Sequence, residues 1–155
     1  MGGSMHNLYT AVKAQRVSNA VAAGTTLITP GAGVNVTGFQ GVMFLFSFGT
    51  LTAGAVTSVK VQESNDGGVL DAYTDILGSH FTVPQATGSN QVFWIDVFRP
   101  NRSWVLPLVS RGTANAVLDS ILALLYGPNN VPTVHDVTTV GGGTFVPDGV
   151  GPGTA

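Results

Sequence analysis

The residues best suited to chemistry in this 155-residue sequence are three histidines, eight carboxylate side chains, two tryptophans and six lysine or arginine side chains. His6, His80 and His135 lie far apart, and none falls in the short two-histidine spacing from which metalloenzymes build a site. Asp66, Asp71 and Asp75 crowd one stretch as calcium ligands do. They lack the glycine and terminal glutamate that a calcium-binding helical loop sets at fixed offsets, so an ordinary polar turn accounts for them. Glu63 and Asp96 are of the right type for a glycosidase acid and base, but nothing in the sequence sets the separation such a pair needs. The glycines at 141–143 are not followed by the lysine and hydroxyl of a phosphate-binding loop. Cysteine is absent, which removes disulfides, thiolate nucleophiles and thiolate metal sites together. The expectation is a chain with no catalytic residues, no metal and no cofactor, and not an enzyme.

Two residue types remain for recognition. Trp94 and Trp104 could stack on sugar rings, although their setting in strands favours core or interface packing. Arg99, Arg102 and Arg111 cluster near two strand ends and could grip an acidic partner through forked hydrogen bonds. Composition narrows the partners further. A net charge of -2 with six basic side chains leaves no basic stripe to neutralise phosphates, so direct nucleic-acid binding is not expected. The longest apolar runs, 41–48 and 117–126, fall far short of the roughly 20 residues of a membrane-spanning helix. The N-terminal residues lack the basic start and apolar core of a secretory signal, so none is expected. Charged residues make up 9% of the chain, against about 25% in ordinary soluble domains. A free monomer uses charge to stay soluble and to blunt its sheet edges, so this surface is expected to be covered by copies of the chain or by a partner.

The elements that would position these residues are short strands. Residues 56–74 organise the rest: Val59 and Val61 alternate with Lys60 and Gln62, as in a half-buried strand, and Asn65-Asp66-Gly67-Gly68 supplies a reversal. Residues 42–48 form the expected central strand, with Phe44, Phe46 and Phe48 on one face and an apolar character that suggests burial on both. Residues 91–98 alternate Val92, Trp94 and Asp96 with Phe93, Ile95 and Val97. Residues 103–110 form a strand that Pro107 should place at an edge or a bulge. Residues 17–21 and 25–28 read as two short strands, and 81–83 as another stopped by Pro84. Residues 117–126 fit a helix through Leu118, Ile121, Leu122 and Leu125, and a strand face through Leu118, Leu122, Leu124 and Tyr126; the strand is preferred because a strand and a short turn precede it. Residues 6–16 read as a short amphipathic helix or an extended arm. The fold expected is all-β, an antiparallel, jelly-roll-like β-sandwich over 17–127, with an N-terminal arm at 5–16 and an extended Gly/Pro-rich tail at 128–155. That tail cannot build a core of its own and should be held by another chain.

The phrases MHNLYTAVKAQR, VKVQESNDGG followed by YTDILGS, FWIDVFRPNRSWVLPLVSRGT and AVLDSILALLYGPNNVP together resemble small proteins of tailed bacteriophages that act as capsid cement, or head decoration, proteins. The resemblance covers about residues 5–132; Pro107 and the long Gly-rich tail depart from it. It implies a structural protein on the outer surface of the virion that bridges neighbouring subunits of the major capsid protein after the shell expands, and that associates with itself as a homodimer or a trimer. From the composition of the arm and tail, and the arginines at the strand ends, the assembly contacts expected are Leu8, Tyr9, Val12 and Arg16 in the arm, Arg99 and Arg102 at the strand ends, and Val131, Val134 and Phe145 in the tail. A phage tail or head-tail connector component, and a carbohydrate-binding β-sandwich module, are the alternatives.

Overall fold

The computed structural model describes residues 7–144, which form one helical turn, α1 (Leu8–Ala11), and ten strands: β1 (Val12–Ser18), β2 (Val21–Gly24), β3 (Val34–Asn35), β4 (Gly41–Leu51), β5 (Val56–Ser64), β6 (Thr74–Asp75), β7 (Phe81–Val83), β8 (Val92–Phe98), β9 (Trp104–Gly112) and β10 (Ala116–Tyr126). Two antiparallel sheets pack as a β-sandwich. Sheet A runs β1-β10-β4-β8, with β2 also on β10; sheet B runs β3-β9-β5-β6, with β7 also on β5. From β2 to β5, and again from β7 to β10, each connection carries the chain from one sheet to the other, which is the jelly-roll-like order.

β4 is an inner strand of sheet A, hydrogen-bonded to β10 on one side and β8 on the other. Phe44, Phe46 and Phe48 lie fully inside the sandwich against Val59, Val61, Val105 and Val109 of sheet B. The opposite face of β4 is not buried as its composition suggests: Met43, Leu45 and Ser47 are half-buried on the outside of sheet A. β5 alternates as its sequence requires, with Val59 and Val61 buried and Lys60 and Gln62 partly open. Gly67 and Gly68 then take φ of 77° and 86°, the left-handed region that lets the chain leave β5 for β6.

Residues 116–126 are a strand, not a helix, but the face drawn from period-two counting does not survive. Register shifts on both sides of β10, between Leu118 and Ser120 against β4, insert an extra residue. The parity flips there: Ala116 and Leu118 face the core before the bulge, and Ile121, Ala123 and Leu125 after it. Leu122, Leu124 and Tyr126 therefore point outward with Met43 and Leu45. The expected strands at 17–21 and 25–28 are also redrawn. β1 begins at Val12 and breaks at Asn19-Ala20, and of the second only Ile28 bridges, to Val109. The amphipathic helix at 6–16 shortens to α1, because from Val12 the backbone finds a strand partner in β10. Pro107 sits in register opposite Val61. Its nitrogen faces the side of β9 on which only Val34, Asn35 and Ile28 pair, at 105, 104 and 109, so no hydrogen bond is lost.

Candidate assembly surface

On the outside of sheet A, the register sets side chains in rows across four strands. Arg16, Leu122, Leu45 and Trp94 form one row; Ala14, Leu124, Met43 and Asp96 the next; Val12, Tyr126, Gly41 and Phe98 the third. This face is apolar over most of its breadth. Trp94 is 62% exposed and Val92 and Phe98 are each more than half exposed, so the face is most open along β8. The Tyr126 hydroxyl reaches across Gly41 and donates to Asp96 Oδ1 at 2.6 Å. A Cβ at Gly41 would meet the Tyr126 ring, so glycine is what permits the reach. Burial, and then the hydrogen bond to the Asp96 carboxylate, push the Tyr126 phenol up to about 12.

A second apolar projection comes from the turn after β5. The Asp66 carboxylate accepts from the amides of Gly68, Val69, Leu70 and Asp71, at 2.7 to 3.2 Å. Burial alone would raise its pKa; the amides of Leu70, Asp71 and Val69 and the Ser64 hydroxyl outweigh that and hold it below the ordinary carboxylate range. Asp71 accepts from the Asn65 amide at 2.7 Å and pairs with Arg102 at 3.0 Å. A loop tied this closely still presents Leu70, 94% exposed, and Val69 at its tip. Leu77, beyond β6, is fully exposed. The sequence reads Leu77 as an apolar anchor beside Tyr73 and Ile76, but it stands in the open; for Val69 and Leu70, two apolar residues directly after a Gly-Gly turn were the available signal.

The expected contact residues divide. Leu8, Tyr9, Val131 and Val134 are exposed. Tyr9 and Val12, however, are engaged by the tail of the same chain. Thr133 Oγ1 donates to the carbonyls of Tyr9 and Val12, and Thr133 N donates to Thr10 O. His135 Nδ1 accepts from the Ala14 amide at 3.1 Å, so its Nε2 carries the proton and donates to Tyr9 O at 2.7 Å. Its ring also stacks on that of Tyr9, with centroids 4.7 Å apart. Thr139 Oγ1 accepts from the Arg16 amide. Residues 133–139 thus form a strap along the outer edge of β1, held by this chain's own backbone. Phe145 lies outside the described residues.

The arginine cluster does not form as expected. Arg99 is exposed, with its guanidinium 5.0 Å from the Phe98 ring centre, and Arg102 is occupied by Asp71. Arg111 is buried: Nε donates to Thr26 O, Nη1 to Ala22 O and Ala116 O, and Nη2 to Thr26 Oγ1. No carboxylate compensates it among the described residues, and burial lowers its pKa. Trp104 is half-buried and packs near Gly67 beneath the turn. Among the described residues no three His, Asp or Glu side chains converge as metal ligands would, and no helix is long and apolar enough to cross a membrane. No family model matches the sequence, and no curated protein matches it either.

Proposed function

We propose that this chain is a structural virion protein of a tailed bacteriophage, a capsid cement that binds the outside of an icosahedral head and bridges neighbouring major capsid subunits. The observation that carries the reading is the open apolar face of sheet A, continued at Leu70 and Leu77, on a chain with little charge elsewhere. Such a surface suits docking against protein. The resemblance of the strand-and-turn phrases to cement proteins supplies the partner. Cement acts by mass action: a protein that binds the expanded lattice better than free subunits shifts the equilibrium against disassembly. Contacts repeated around a symmetry axis add through multivalency, so each can be weak.

The test is copy number. Purified virions should hold this protein in a simple symmetry ratio to the major capsid protein. A handful of copies per particle would place it in the tail or connector instead, and its absence from virions would remove the virion reading altogether. The exposed Trp94 favours one other reading, a carbohydrate-binding module. Under that reading alone, sugar titration quenches or shifts the fluorescence that a Trp94→Phe variant lacks.

A further inference from the structure

The two edges of sheet A are treated differently. At β1, the strap at 133–139 occupies Val12 O and the amides of Ala14 and Arg16. At β8 nothing among the described residues does the same. Gln91 O and the Arg99 amide bond to β4 or its approach, through Phe48 N and Gln40 O. Antiparallel alternation then directs the backbone of Phe93, Ile95 and Val97 to β4, and that of Val92, Trp94, Asp96 and Phe98 outward. None of these four outward residues has a backbone hydrogen bond among those of the described turns, loops and side chains. The edge carries none of the usual guards: no lysine, no proline and no register shift. Its one charge, Asp96, is drawn back across β4 by Tyr126. An open groove of about 370 Å³ runs between β8 and residues 76–79, leaving the edge reachable.

We propose that a second copy of this chain adds at this edge, β8 against β8, antiparallel about a two-fold axis at Ile95. Self-complementarity selects the occupant. With the axis at Ile95, Val92 faces Phe98 of the other copy and Trp94 faces Asp96, so every outward residue meets an outward residue and all four exchange hydrogen bonds. Apolar side chains cover one another, and no carboxylate is set directly opposite a carboxylate. The pairing covers the edge-facing flanks of Val92, Trp94 and Phe98, which are more than half exposed, and leaves the outer face of sheet A continuous across the two copies. It rests on the strand alone and holds or fails whether or not the protein binds a capsid.

The full chain should sediment as a dimer of about 32 kDa, twice 15.9 kDa. Amide exchange should be slow at Val92, Trp94, Asp96 and Phe98 in the dimer and fast on dilution, while Phe93, Ile95 and Val97 stay protected in both. Two variants at one exposed position test the register. Trp94→Glu sets a carboxylate opposite Asp96 twice per dimer, whereas Trp94→Lys sets an ammonium there. Trp94→Glu should dissociate at least tenfold more readily than Trp94→Lys, both with the native circular dichroism spectrum. A monomer at every concentration, a dimer indifferent to both variants, or equal weakening by both would overturn the proposal.

Discussion

Replacing Arg111 by methionine removes a buried cation that no carboxylate among the described residues balances. Its guanidinium ties Ala22 and Thr26, in and beyond β2, to β9 and to Ala116 of β10, with three carbonyls at 2.7 to 2.9 Å. A hydrogen bond from a charged donor contributes about 1.5–3 kcal/mol, which sets a gross loss of about 5–9 kcal/mol for the three. Against this, the variant no longer desolvates a guanidinium, a relief of several kcal/mol. The net expected is a destabilisation of about 3 kcal/mol. For a chain of this size that lowers the melting temperature by about 6–12 °C. Urea unfolding followed by tryptophan fluorescence should show a lower midpoint at an unchanged slope, the sign of lost stability without a changed denatured state. Arg111→Lys should recover less than half, because one ammonium cannot span Thr26, Ala22 and Ala116. A loss below about 1 kcal/mol for Arg111→Met, or full recovery by lysine, would refute the assignment of Arg111 as the tie between these segments.

The Tyr126 phenol, raised to about 12 from an ordinary value near 10, favours the folded state while protonated. Its contribution is complete below pH 10 and is lost as pH rises through about 12; an absorbance titration at 295 nm should lose that late step in Tyr126→Phe. Gly41→Ala should cost about 1–3 kcal/mol by driving a methyl into the Tyr126 ring and the Val97 carbonyl, and the double variant with Tyr126→Ala should recover part of it in thermal melts. Asp66, whose pKa is lowered, holds its turn above the ordinary carboxylate range and releases it as pH falls through its own value. Asp66→Ala should therefore speed amide exchange at residues 68–71 at neutral pH while leaving β5 protected. Thr133→Val removes the hydroxyl shared by Tyr9 and Val12 and should free the strap, seen as faster exchange at Ala14 and Arg16.

Local pattern carried the sheets and failed where distant residues decide. Phe44, Phe46 and Phe48 declared the central strand, and the alternation of residues 92–98 separated the two sides of β8, because period two is written in adjacent residues. The bulge before Ser120 left no such mark. Leu118 and Leu122 have equal side chains, and only pairing with β4 shows that they face opposite ways. Arg111 read as one of three surface cations because its acceptors are carbonyls, which every residue carries and no sequence distinguishes. The strap was invisible for the same reason: Thr133 and His135 meet Tyr9 and Val12 across more than a hundred residues. Of the assembly contacts expected at the N-terminus, Leu8 is not held by the strap, its side chain exposed and its carbonyl accepting from the Val12 amide, while the backbones of Tyr9, Val12 and Arg16 are engaged by it.

Sheet B ends in strands of two or three residues, β3, β6 and β7, too short to template a neighbour. The strap closes the β1 edge of sheet A, so on the proposed β8 pairing each copy would offer a single valence among the described residues. Units with one valence can form pairs but cannot propagate; growth into a fibre needs two, one to accept and one to offer. On that pairing, sealing β1 would cap the particle number at two whatever the concentration, and a protein poor in charge would escape edge-to-edge polymerisation by geometry rather than by repulsion. Cutting the strap away would restore the second valence, and the dimer would become the repeat of a filament.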